Sequence, residues 1–309
     1  MELQSRPLPF DPARLHGLSE RIVTSHHANN YGGAVRRLNA IRARWSSLRV
    51  AEAPGFELNG LKREELAAAN SALLHELHFD NLGGDGALAD GPLKTVLAQD
   101  FGSFAAWRDE FMAMGRALAG GSGWVVLVWC PGSARLVNQW AADHAHALTG
   151  AEPLVALDMY EHAYHLDFGA NAGAWVDAFM RNLHWERIAA RFEAALARST
   201  ALLETAPAEL AAEPARWQLI DVRRRPVFEA APHRIRGARW FDPEQVAQLG
   251  AALTPERPVA VYCVHGHAIS RSVAARLAAA GFDAHVVRGG IEAWSEAGLP
   301  LEARTGGEP

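Results

Sequence analysis

The chain has 309 residues, 49% of them hydrophobic, enough for roughly two domains with real cores and too many for a disordered chain. Its net charge of -5 argues against nucleic acid as the main partner, and two cysteines, Cys130 and Cys263, are too few for a disulfide framework. No apolar run reaches the roughly 20 residues a membrane span needs, and the opening "MELQSRPLPFDP" lacks a charged-then-apolar signal pattern, so a soluble cytoplasmic protein is expected.

Residues 12–48 predict a helix with Leu18, Ile22, Val35, Leu38 and Ile41 on a broad apolar face. Residues 60–78 predict a second helix opening at Asn59 as N-cap, and residues 100–119 a third. "GSGWVVLVWC" is a glycine turn and an apolar run, and "ARLVNQW" follows Pro131-Gly132, the pattern of a hairpin. "PLVALDMY" is another short apolar run, and residues 171–198 read as helical. Helices first, then a small antiparallel sheet with helices, is an α+β arrangement. Residues 199–214, rich in Ala, Glu and Pro, are expected to link a domain over 1–198 to one over 215–309. Beyond the linker, "WQLIDVR", "PVAVYCVHG" and "DAHVVRGG" are short apolar runs. The helix "AISRSVAARLAAAG" lies between the last two and closes on Gly281. Strands alternating with helices predict an α/β domain with a parallel sheet.

Of the 14 histidines, most cluster, at 26–27, 75–78, 144–146, 162–165 and 265–267. In "LDMYEHAYHLDF", Asp158 and His162 stand four residues apart, and His26 and His75 sit on the first two helices. Three imidazoles and a carboxylate with positions left open suit redox iron or manganese, or zinc. The competing reading is a solvated polar face with incidental histidines. His144 and His146 in "AADHAHAL" read as a surface turn.

"DMYEHAYHLDF" resembles the D-x-W-E-H-A-Y-Y signature of the iron/manganese superoxide dismutases. "LPFDP", "SERIVTSHHANNYGGAVRRLN", "HELHFDNLGG", "FGSFAAWRDEF", "GSGWVVLV" and "LHWERIAARF" resemble other pieces of that family in the same order, over about residues 5–195. The resemblance implies that one Mn or Fe ion per subunit is held by His26, His75, Asp158 and His162, and that superoxide is the substrate. It makes Gln139 in "VNQW" the partner of a metal-bound solvent molecule. Ser71 stands where iron-type members place their glutamine, so the comparison leans toward manganese. Glu161 is implied to reach a ligand histidine of a second subunit, making a homodimer. The chain departs from the family where a His and a Tyr normally follow the first ligand, with Asn30 and Ala34, and at the last Tyr of E-H-A-Y-Y, with His165 after Tyr164. Those positions deliver protons and screen the entrance, and His165, His27 or His78 are candidates to replace part of that relay. Tyr160 takes the place of the signature Trp, and Phe79 stands beside the second ligand.

"VYCVHGHAISRSVAARL" places Cys263 between a strand end and a helix N-terminus, where backbone N–H groups stabilise an anion and favour a thiolate. "LIDVRRRPVFEAAPHRIRGARWF", this loop, and "VVRGGIEAWSEAGLPL" resemble rhodanese-like domains over about residues 215–302. Cys263 is then the sulfur carrier, with a sulfur donor or acceptor as partner. The loop differs from the common C-R-x-G-x-R/T-S pattern: Val264 replaces a basic residue, Ile269 stands where longer-loop relatives carry Arg, and Arg271 lies further on. Cys130, at the end of an apolar run, is expected to be a core thiol. A dismutase that has kept its metal but changed its job, leaving the thiol domain as the active half, is the alternative reading.

Overall fold

A computed structural model describes residues 2–146 and 149–304. In chain order the elements are α1 (Glu20–Ser25), a π-helical turn (His26–Tyr31), α2 (Gly32–Ser46), α3 (Gly55–Asp80), α4 (Pro92–Phe101), α5 (Phe104–Ala117), β1 (Trp124–Cys130), β2 (Arg135–Ala141), β3 (Glu152–Asp158), α6 (His165–Phe168), α7 (Ala172–Arg181) and α8 (Trp185–Ser199). There follow β4 (Glu204–Thr205), α9 (Pro207–Ala212), β5 (Gln218–Asp221), α10 (Arg225–Ala230), β6 (His233–Ile235), β7 (Arg239–Trp240), α11 (Val246–Leu249), β8 (Val259–Tyr262), α12 (Ala268–Ala279), β9 (Ala284–Val287), α13 (Gly290–Glu296) and β10 (Leu301–Ala303). Two compact units emerge. One comprises Met1–Leu88, Arg108–Val128 and Val137–Ile188; the other comprises Ala89–Trp107, Trp129–Leu136 and Ala189–Pro309.

The helix predicted over 12–48 is broken. Gly17 at φ +76° ends a first turn, and α1 restarts on Ser19, whose hydroxyl accepts the Ile22 N–H. The π-helical turn then carries His26 before α2 resumes, and such turns mark places where a side chain has to be re-aimed. The second predicted helix is longer than expected. It opens after Pro54, and Asn59 lies inside it. The third is two helices, α4 and α5, because Gly102 takes φ +85°, a conformation few L-residues tolerate. Likewise 171–198 divides into α7 and α8 at Asn182, a fully buried residue whose side chain donates to the Ala178 and His16 carbonyls.

Helices α2 and α3 pack on one another as a hairpin. The three-stranded sheet has the order β2-β1-β3, and a connection as short as 131–134 between β1 and β2 permits only an antiparallel pair. Asn81, at the end of α3, donates to Leu154 O (3.0 Å) and accepts from Ala156 N (2.9 Å), tying the helix that bears His75 to the strand that ends at Asp158.

The five-stranded sheet has the order β4-β9-β8-β5-β7, and every adjacent pair is parallel. Its central strands are buried along their whole length, as strands covered on both faces must be. The stretch expected as a linker contributes β4, which pairs with β9 through Glu204↔Val286 and Thr205↔Val287, and the helix α9. Among the described residues no helix is long and apolar enough to cross a membrane.

Candidate metal centre

Four potential ligand atoms, one each from His26, His75, Asp158 and His162, lie within 4.8 Å of one another. Each comes from a different local device. The π-helical turn sets His26, α3 sets His75, the last residue of β3 is Asp158, and the short turn Glu161–Ala163 presents His162. Asp158 Oδ2 lies 3.1 Å from Nε2 of both His26 and His162 and 3.4 Å from Nε2 of His75. First-row metal ligands about 2.1 Å from an ion stand about 3 Å apart when adjacent in its shell, so the spacing fits one shared ion.

The hydrogen bonding argues the same way. His75 Nδ1 donates to Ser71 O at 2.7 Å, so the neutral ring turns a bare Nε2 lone pair toward the carboxylate. Burial pushes the pKa of His75 down to about 3, which keeps it neutral. Two lone pairs facing each other at 3.4 Å repel unless a cation stands between them. Burial also lowers the pKa of His26. Burial would raise the pKa of Asp158, but hydrogen bonds with His162 and His26 outweigh it and hold the carboxyl well below its usual range. The other Asp158 oxygen accepts from Tyr160 N (2.8 Å), and its main-chain carbonyl accepts from Trp175 Nε1 (2.7 Å), so the carboxylate cannot swing away.

A cavity of about 270 Å³ opens onto His75 and His162 and is walled by Asn30, Ala34, Arg37, Ser71 and His144 among others. Asn30 and Ala34 therefore stand at the approach to the ligands. His165 is exposed on α6 and Tyr164 is buried, and neither lines this cavity. Glu161 is exposed in the single chain. Gln139 is half-buried in β2 and is also absent from the cavity wall. His27 Nε2 donates to Arg6 O at 2.8 Å, while His78 Nδ1 donates to Ala156 O and its ring stacks on Phe179. Phe79 packs edge-on against His26 with ring centres 5.0 Å apart.

His144, expected on a surface turn, is instead part of the centre. Trp124 Nε1 donates to its Nδ1 at 3.0 Å, and its ring stacks on Tyr160 at 4.6 Å, with Tyr160 stacked in turn on His162. Burial lowers its pKa, so the ring is neutral and carries its proton on Nε2. The one advance sign was its place in a histidine cluster just before the β3 ligand strand. His146 is exposed and pairs with Asp143.

The chain matches the family profile described as iron/manganese superoxide dismutases, C-terminal domain, over residues 89–191. A superoxide dismutase [Fe] of Cupriavidus metallidurans is 60% identical over 196 residues, covering 63% of this chain and 99% of that protein. The chain belongs to the iron/manganese superoxide dismutase family. Superoxide dismutase [Mn] 2 of Haloferax volcanii is 34% identical over 63% of this chain and 96% of its own length. Superoxide dismutase [Fe] of Aquifex pyrophilus is 33% identical over 62% and 92%. Residues 206–297 match the rhodanese-like domain, so the match starts within the stretch that carries α9.

In that domain Cys263 directly follows β8, and its Sγ lies 3.2 Å from Ser270 Oγ on α12. The charged groups around the loop are engaged elsewhere. Arg271 donates to Gly266 O and Thr200 Oγ1, both at 3.0 Å, and pairs with Glu204. His265 Nδ1 lies 2.6 Å from Glu292, and the Ala268 N–H at the head of α12 donates to Glu193 at 3.3 Å. Cys130 closes β1, where burial raises its thiol pKa.

Proposed function

We propose that the chain is a homodimeric superoxide dismutase holding one iron or manganese ion per subunit on His26, His75, Asp158 and His162, and that its rhodanese-like domain carries sulfur on Cys263. The observation that carries this reading is the convergence of four buried or half-buried donor atoms on one point within a family whose relatives are named for iron and manganese. The relative at 60% identity is named for iron and outweighs the lean toward manganese drawn from Gln139, so iron is the expected ion. Held by His26, His75, Asp158 and His162, the ion would supply the one-electron couple that superoxide dismutation needs.

The residues of the chain do the rest. The cavity beside Ala34 admits a small anion, and Arg37 in its wall favours a negative one. Peroxide formation consumes two protons, and His144 is placed to hold one on Nε2 at the cavity wall. We therefore assign the solvent-holding part to His144 in place of Gln139. Tyr160, stacked between His144 and His162, keeps both rings in position. The exposed Glu161 fits a contact with a second subunit, whose ligand histidine it would brace.

Near Cys263, Arg271 is engaged by Gly266 O, Thr200 and Glu204 and is not free to receive a dianionic donor. That favours a persulfide carrier, or a redox-sensing thiol, over thiosulfate chemistry. Asn30 and Ala34 support the second reading, a dismutase fold whose activity has weakened or changed, because they replace a proton-bearing pair at the entrance. The deciding experiment measures superoxide dismutation per bound metal, with metal content determined on the same sample. Rapid turnover at full occupancy is expected. Full occupancy with negligible turnover would overturn the dismutase assignment and favour the thiol domain as the working half.

A further inference from the structure

Away from the metal centre, the first unit carries a second cleft, of about 420 Å³, between the N-terminal segment and the start of α8. Its wall includes Arg14, His16, His184 and Arg187, with Asp11 as the single carboxylate. That carboxylate already accepts the Ala13 N–H at 3.0 Å. Arg187 donates through Nη2 to Leu82 O (2.8 Å), but its Nη1 is buried without a hydrogen-bond partner, Asp80 standing 3.6 Å away. A buried donor left in that state is costly unless something brings it an acceptor.

The main chain that carries the two imidazoles is held in place. The His16 side chain is exposed, while its main-chain N–H donates to Asn182 Oδ1 (2.8 Å) and its main-chain carbonyl accepts from Asn182 Nδ2 (2.9 Å), and Asn182 is fully buried. His184 donates its main-chain N–H to Asn81 O (2.7 Å), and its Nδ1 accepts the Arg187 main-chain N–H (3.4 Å), which leaves Nε2 as the ring nitrogen able to donate. The wall behind them is close-packed. Gly83 has φ +92°, and a Cβ there would stand 2.7 Å from Phe10 Cβ. Two guanidiniums and two imidazoles thus share the wall with one carboxylate that is already occupied, which favours an anion in the cleft.

We propose that this cleft binds the phosphate group of a small phosphorylated molecule. A tetrahedral oxyanion offers acceptors in several directions at once, which suits a guanidinium fork flanked by imidazole N–H groups. The volume falls within the range of small-molecule sites and leaves room for an organic group beyond the phosphate. None of these residues lines the cavity over the metal ligands, so the site is separate from the dismutation chemistry.

Calorimetric titration of the metal-loaded full chain with inorganic phosphate and with glycerol 3-phosphate tests it. One saturable site per chain is expected, tighter for the monoester. Arg14→Gln should weaken it about tenfold, the scale of one charge-assisted hydrogen bond. Arg37→Gln, in the wall of the metal cavity, should leave it unchanged, and so should Arg49→Gln on a remote surface. Absence of saturable binding, binding indifferent to Arg14→Gln, or binding lost in Arg37→Gln would each overturn the proposal. Equal affinity for phosphate and the monoester would overturn the assignment to a phosphorylated small molecule.

Discussion

The metal centre and the Cys263 loop are both polar clusters at the end of a buried strand, and they differ in where their lone pairs and protons go. At the centre the ligand atoms face one another. His75 has used its other nitrogen on Ser71 O, and Asp158 is braced by Tyr160 N and Trp175 Nε1, so what remains points inward at a common site. Around Cys263 the opposite holds. Arg271, His265 and the Ala268 N–H are each engaged by a neighbouring group. A cluster of chemically able residues becomes a binding site when its groups are fixed but unspent. The first cluster meets that condition, and in the second Arg271 and His265 are already spent on neighbours.

The largest break in this comparison comes from the carboxylate. Asp158→Ala removes the one anion among three imidazoles, two of them buried, and metal content should fall to near zero, with the stability that bound metal contributes lost along with it. Metal analysis and denaturant unfolding on one sample check this, and an Asp158→Ala protein that keeps its ion would remove Asp158 from the ligand set.

Acid should follow in size. Burial holds His75 and His78 at pKa values of about 3, against 6.5 when unfolded. A proton is therefore taken up by the unfolded chain and refused by the folded one between those values. In the metal-free protein the stability these residues contribute is fully present above pH 6.5 and is lost as pH falls toward 3. From neutrality to about one and a half units below 6.5 the loss is roughly 2 kcal/mol per histidine. Urea midpoints that do not move over that interval would mean these rings are solvated.

A smaller effect separates His144 from Gln139. His144→Ala should lower turnover per metal by about 10- to 100-fold at unchanged metal content, the lower range for a positioned proton carrier. Gln139→Ala should change it by less than about twofold, because Gln139 does not line the cavity. The reverse order would return the solvent-holding role to Gln139. The smallest effect sharpens the contrast between the two sites. Cys263→Ser should abolish persulfide formation, read by mass spectrometry after exposure to a sulfane-sulfur donor, while metal content and dismutation stay as they were.

Much of the candidate site was legible because its signals are local. Asp158 and His162 lie four residues apart across a strand end and a turn, and Cys263 sits between an apolar run and a helix, patterns that short-range chemistry imposes. Helix boundaries were less legible. Gly102 and Asn182 break apolar patterns that periodicity alone extends through them, since the break rests on one dihedral or one buried amide. The segment 199–214 looked like a linker because β4 has only two residues, and an edge strand that short is recognisable only by its partner β9.

From its residues alone the chain determined two cores, an α+β and a parallel α/β arrangement, the three histidines and one aspartate that converge, and a cysteine between a strand and a helix, since hydrophobic period and motif spacing are written along the backbone. Only the tertiary structure decided that His144 stands at the centre, that Gln139 lies off the cavity and that Arg271 is spent. These are contacts between residues far apart in sequence, such as Trp124 with His144 and Arg271 with Thr200. Such contacts form when packed elements bring donor and acceptor to one place, and nothing in either segment's own pattern encodes the other's position.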